Sequence, residues 1–137
     1  MMRYLAKKVN LNGADDWEDL QIDAIVDTIA DLRGKFALYH HEQDQTIKEN
    51  QKSLLYNETL PYYLERLEKL AKTNNGHLVC GKLTWADIYF VAILDRMNIM
   101  AGKDLIETCP NLQQLNKNVV SLPGIKAWIE KRPPCQF

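Results

Sequence analysis

The feature that most constrains the fold is the stretch GKLTWADIYFVAILD, Gly81 to Asp95. One carboxylate, Asp87, interrupts an otherwise nearly unbroken apolar run. Period alone does not separate a buried strand from a buried helix here; the flanks do. Thr84 and Asp87 stand three residues apart. With Thr84 at the N-cap, its hydroxyl can accept from the N–H of Asp87 at N3. The Asp87 carboxylate can reach back to the N–H of Thr84, which completes a capping box. Leu83 then falls at N′ and Ile88 at N4, the two positions of a hydrophobic staple. The spacing predicts a helix from Thr84 to about Ala101.

This helix is apolar on every side. Trp85, Ile88, Tyr89, Phe90, Val91, Ala92, Ile93 and Leu94 cannot share one face, so it belongs in the middle of a bundle. Its first N–H groups would be cut off from water there, at about 1–3 kcal/mol for each one left unpaired. Asp87 is therefore read as a structural cap. A direct chemical role for the acid is the alternative.

The rest of the chain reads as helices too. Residues 10–13 form a turn, with Gly13 as the expected helix terminator. A helix starts near Asp15 and Asp16, acids suited to a helix N-terminus. Ile22, Ile25, Ile29, Leu32 and Phe36 follow in steps of three and four, while Asp23, Asp27 and Asp31 form a separate acidic line. Lys48 to Thr73 is helical by the period of Leu60, Leu64, Leu67 and Ala71. Pro61 should kink it or begin a fresh helix. Asn74-Asn75-Gly76 is a stop. Two shorter helices, from about Pro110 to Val120 and from Pro123 to Lys131, use proline at the first position. Arg132-Pro133-Pro134 ends the last. The class is all-α.

Charge and cysteine usage exclude several functions. The 137 residues carry 17 basic and 18 acidic side chains in mixed order, so no basic face for nucleic acid is expected. The longest apolar run, Ile88 to Leu94, is far short of the ~20 residues that span a bilayer. Cys80, Cys109 and Cys135 are odd in number and far apart, which favours a reducing, cytoplasmic location over a disulfide framework or a zinc site. No basic neighbour is apparent to activate Cys80. His40 and His41 diverge by about 100° on a helix and make a poor chelating pair. Trp17, Trp85 and Trp128 are expected in the core or at helix contacts.

Gly81, Thr84, Ala86 and Asp87 together resemble the cap-and-staple signature of the glutathione transferase C-terminal domain. RYLAKK (residues 3–8) is similar to the end of the last helix of that family's thioredoxin-like N-terminal domain. DAIVDTIADL (Asp23 to Leu32) and LPGIKAWIEKRP (Leu122 to Pro133) resemble the first long helix and the final helix of its sigma class, which includes prostaglandin D synthases. The resemblance implies residues 1–13 as the tail of the thioredoxin-like domain plus linker, and residues 14–137 as the C-terminal helical bundle. The remainder of the thioredoxin-like domain, with the tyrosine that activates the glutathione thiol, is not among these residues. No catalytic residue is therefore assigned to this chain.

The resemblance also implies roles. Asp31 matches the acid that reaches across a homodimer to the amino group of glutathione. Arg33, Phe36, Leu38, Tyr89 and Ile93 match the C-terminal side of the pocket for a hydrophobic electrophile. Glutathione enters as co-substrate, and no other cofactor is expected. Ala30 replaces an acid that some sigma-class members use with the equivalent of Asp27 for a divalent ion, so no metal is expected. The activity implied for a full-length parent is conjugation of glutathione to hydrophobic electrophiles, or isomerisation of a lipid peroxide. The alternative is a non-catalytic helical interaction or structural module.

Overall fold

The structure, a computed structural model, describes residues 1–133. Its elements are α1 (Met2–Lys8), α2 (Asp16–His41), α3 (Gln45–Leu54), a π turn (Leu55–Thr59), α4 (Leu60–Thr73), α5 (Trp85–Ala101), α6 (Pro110–Val120) and α7 (Pro123–Lys131). No strand occurs among the described residues, and no helix in them is long and apolar enough to cross a membrane. Cys135 and Pro134 lie outside the described residues.

The apolar α5 is the axle of the bundle. It packs most extensively on α2 and also against α6 and α1. Phe90, Val91, Leu94 and Met97 enter the main core with Ile29, Leu32 and Phe36 of α2 and Leu64 and Leu67 of α4. Trp85 and Ala86 belong to a second cluster with Ala6, Ile22, Val26 and Val79. That cluster fastens α1 to the bundle, helped by ion pairs Arg3–Asp23 at 2.8 Å and Lys7–Asp19 at 3.4 Å.

Three local expectations are changed or sharpened. Gly13 does not terminate α1, because Asn10 already takes the left-handed position at φ 57°. Glycine is required at 13 for a different reason: a Cβ there would meet the Glu18 Cβ at 2.5 Å and the Asp19 nitrogen at 2.6 Å. The chain thus folds tightly over the start of α2, where Asp15 caps Glu18 N–H and Asp19 accepts from Gly13 N–H at 2.8 Å. Second, of the two outcomes expected at Pro61 the fresh helix start is the one found, with Pro61 in the first turn of α4, and the irregularity lies just before it. Pro61 lacks an N–H and crowds the carbonyl one turn back. The ladder widens over Leu55–Thr59, and Leu60 N–H reaches back to the Leu55 carbonyl. Third, Trp17 and Trp128 are 65% and 64% exposed, and only Trp85 is core. Trp17 lies in the first turn of α2, outside the buried line of Ile22, Val26 and Ile29. Trp128 lies on α7, a helix with no buried residue.

Candidate functional site

The start of α5 is built around Asp87. Its Oδ2 accepts from Thr84 N–H at 2.9 Å, the carboxylate half of the capping box. The hydroxyl half is weaker: Thr84 Oγ1 is buried without a hydrogen bond, and Asp87 N–H donates instead to the Thr84 carbonyl at 3.2 Å. Leu83 and Ile88 are half-buried against the main core. Two further partners come from the preceding loop. Leu78 N–H donates to Asp87 Oδ1 at 2.8 Å, and His77 Nδ1 lies 3.3 Å from Oδ2. Burial pushes the Asp87 carboxyl above its usual range, only partly opposed by the bonds from Leu78 and Thr84 and by His77. Every hydrogen bond and ion pair described for the carboxylate is internal, as a cap requires.

The residues matched to glutathione and electrophile fall on different flanks of α2. Asp31 and Arg33 are both exposed. Two residues at about 100° each place them about 160° apart around the helix. Arg33 follows Val26 by two turns, so it continues the flank that holds Val26 against Trp85 and Ala86 of α5. Tyr89 and Ile93 stand half-buried one turn apart on α5. Arg33, Tyr89 and Ile93 therefore belong to the α2–α5 side. Leu38, 71% exposed, shares the Asp31 flank instead. It borders a cavity of about 170 Å³ between α2 and α3, with Lys35, Tyr39, Gln51 and Leu54. Phe36 is 1% exposed, in the main core with its ring edge-on to Tyr56 at 6.1 Å. It supports the bundle from within.

Sequence reasoning missed Glu68. This α4 side chain accepts from Asn111 N–H at 3.0 Å, Asn111 Nδ2 at 2.6 Å and Leu112 N–H at 2.9 Å. It caps α6, whose own N-cap residue, Cys109, offers no side-chain bond. The only sequence signal is Pro110 at N1, which marks a helix start without an adjacent cap.

Cys80 has a basic neighbour after all, Lys82, but burial and then Glu18 outweigh it and hold the thiol above its usual range. The His40 and His41 rings are both exposed and stand edge to face at 5.3 Å. No group of three or more potential metal ligands occurs among the described residues. Cys80 adopts the left-handed conformation, φ 61°, next to Gly81, also at φ 61°. A side chain there carries about 1–2 kcal/mol of strain. Cys80→Gly is expected to raise stability by about 0.5–1 kcal/mol, the strain relief less the lost burial. Denaturant melts of the two proteins read this directly; a less stable glycine variant would show that the thiol's packing dominates.

A sequence profile of "Glutathione S-transferase, C-terminal domain" matches residues 30–132. Glutathione S-transferase S1 of Drosophila melanogaster is 53% identical over 133 residues, covering 97% of this chain and 53% of the relative. Human hematopoietic prostaglandin D synthase is 34% identical over 134 residues, covering 96% of this chain and 64% of the relative. Among solved structures, prostaglandin synthase D of Nilaparvata lugens superposes with a TM-score of 0.93 at 43% identity, covering 98% of this chain and 67% of that one. The chain spans about half to two thirds of the length of these relatives. The all-helical bundle, the capped central helix and these matches agree: the chain belongs to the glutathione S-transferase family, as its C-terminal domain and of the sigma-like branch that includes prostaglandin D synthases.

Proposed function

We propose that this domain forms the electrophile side of a cytoplasmic, homodimeric glutathione transferase. The reaction is conjugation of glutathione to a hydrophobic electrophile, or isomerisation of a lipid peroxide of the prostaglandin-precursor kind. A preceding thioredoxin-like domain, whose tail would be residues 1–13, supplies the thiolate. The observation that carries this reading is the divergence of Asp31 and Arg33 on α2. One flank presents an exposed carboxylate outward, suited to the ammonium of a glutathione held by a neighbouring subunit. The other carries Arg33 in register with Val26, toward the side of α5 that holds Tyr89 and Ile93; these three would form an apolar wall with two polar groups, suited to desolvate and orient an electrophile.

Asp31→Asn tests the first half in the longer protein. It should raise the KM for glutathione about tenfold, the equivalent of one charge-assisted contact near 1.4 kcal/mol. Melting temperature should not move, because Asp31 is exposed. An unchanged KM would remove Asp31 from the site. The 137-residue chain alone should pass unretained through immobilised glutathione and turn over no aromatic electrophile. Retention with turnover would contradict the division of labour.

A further inference from the structure

The row on α5 that carries Tyr89 and Ile93 begins with Trp85. Trp85, Tyr89 and Ile93 recur at steps of four, so they stack along one line of the helix. Trp85 is buried, and its indole meets the Tyr89 ring edge to face, centroids 6.4 Å apart and planes at 70°. Its backbone N–H donates to the Leu11 carbonyl at 2.9 Å, in the turn that follows α1. Its side chain packs in the cluster that holds Ala6 of α1 and Ile22 and Val26 of α2. It also forms part of the boundary of a cavity of about 340 Å³ between α1 and α2, beside Arg3, Lys7 and Asp19. Tyr89 itself is only half-buried and packs against both core clusters.

We propose that Trp85 is a positioning residue for the electrophile wall: its buried indole fixes the Tyr89 ring and ties that ring to the α1–α2 turn. The inference rests on the reading of Tyr89 as part of the wall. Tyr89 has two side-chain torsions to fix, and it is only half-buried. Packing against both core clusters confines the side chain, and the edge contact with Trp85 is the aromatic contact the ring makes within that packing. Because Trp85 is anchored through its own main chain to Leu11, a shift of α1 would move the Tyr89 ring with it.

Two measurements test this. In this chain, labelled with 3-fluorotyrosine and with Tyr89→Phe used to assign the line, Trp85→Leu should shift or broaden the Tyr89 fluorine resonance. Trp85→Phe, which keeps an aromatic edge, should leave it close to its original place. An unmoved line in Trp85→Leu overturns the proposal whatever the kinetics. In the longer protein, Trp85→Leu should raise the KM for a bulky aromatic electrophile about tenfold and leave the KM for glutathione within about twofold, with recovery in Trp85→Phe. Tyr89→Ala should cost as much, and the double variant no more than Tyr89→Ala alone. Equal losses toward both substrates, or a lower melting temperature with both KM values intact, would reduce Trp85 to a core residue and overturn the proposal. If Tyr89→Ala leaves the electrophile KM unchanged while the fluorine line still responds to Trp85, the wall reading has failed rather than the ring contact, and the positioning role falls with it.

Discussion

Asp87→Ala is expected to lower stability by about 3 kcal/mol, roughly 10 °C in melting temperature for a domain of this size. The capping box alone would give about 1–2 kcal/mol. The larger figure follows from the loop. Removing the carboxylate strands two N–H groups, Leu78 and Thr84, of residues closed off from solvent. Each stranded group costs about 1–3 kcal/mol. An offset comes from the buried charge itself, which is unfavourable enough to push the carboxyl upward. Asp87→Asn keeps one acceptor oxygen and sheds the charge, so it should lose about half as much. Calorimetry of the three proteins checks the order. An alanine variant as stable as the parent would show that α5 does not depend on this acid.

Glu68→Ala should cost about 2 kcal/mol, because it uncaps α6 across the bundle. The same residue contributes to the acid dependence of stability. Burial raises the Glu68 carboxyl, but the bonds from Asn111 and Leu112 together outweigh it and leave the group below its usual range. A carboxyl held low when folded stabilises above the ordinary glutamate value of about 4.3 and loses that contribution as pH falls through the lower folded value. Asp87 has the opposite sign. Its raised carboxyl favours the native state most below the unfolded value, and this advantage is lost as pH rises through the folded one. As pH falls, the contribution of Glu68 is therefore lost while that of Asp87 grows. Glu68→Gln should flatten the fall in stability as pH drops below about 4.3. A Gln variant that loses stability over this window as steeply as the parent would contradict the assignment.

Much of the architecture was legible because its signals are local. Leu83, Thr84, Asp87 and Ile88 mark one helix start within a few residues, and Pro110 and Pro123 mark two more. The buried line Ile22, Ile29, Leu32 and Phe36 follows from a period of 3.6. What escaped reading depends on contacts distant along the chain. Glu68 meets residues of α6 more than forty positions away, and no periodicity encodes that pairing. Leu78 and His77 reach Asp87 only because the loop from Asn74 to Gly81 turns through left-handed residues at Asn75, Gly76, Cys80 and Gly81. The π turn sits ahead of Pro61 because the carbonyl its ring crowds lies one turn earlier, at Asn57. In the candidate site, the acidic line Asp23, Asp27 and Asp31 drifts by about 40° per step of four. Asp23 ends beside Arg3 of α1, while Asp31 ends on the open flank. Family resemblance placed Phe36 and Leu38 in one wall; helix geometry sends one inward and the other to the Asp31 flank.

The most direct test of the account is a crystal structure of the longer protein with glutathione and a hydrophobic ligand bound. The account predicts a dimer in which the Asp31 carboxylate lies within hydrogen-bond distance of the ammonium of the neighbouring subunit's glutathione, with Arg33, Tyr89 and Ile93 against the ligand. Glutathione bound without Asp31, and a ligand seated away from the α2–α5 flank, would contradict it.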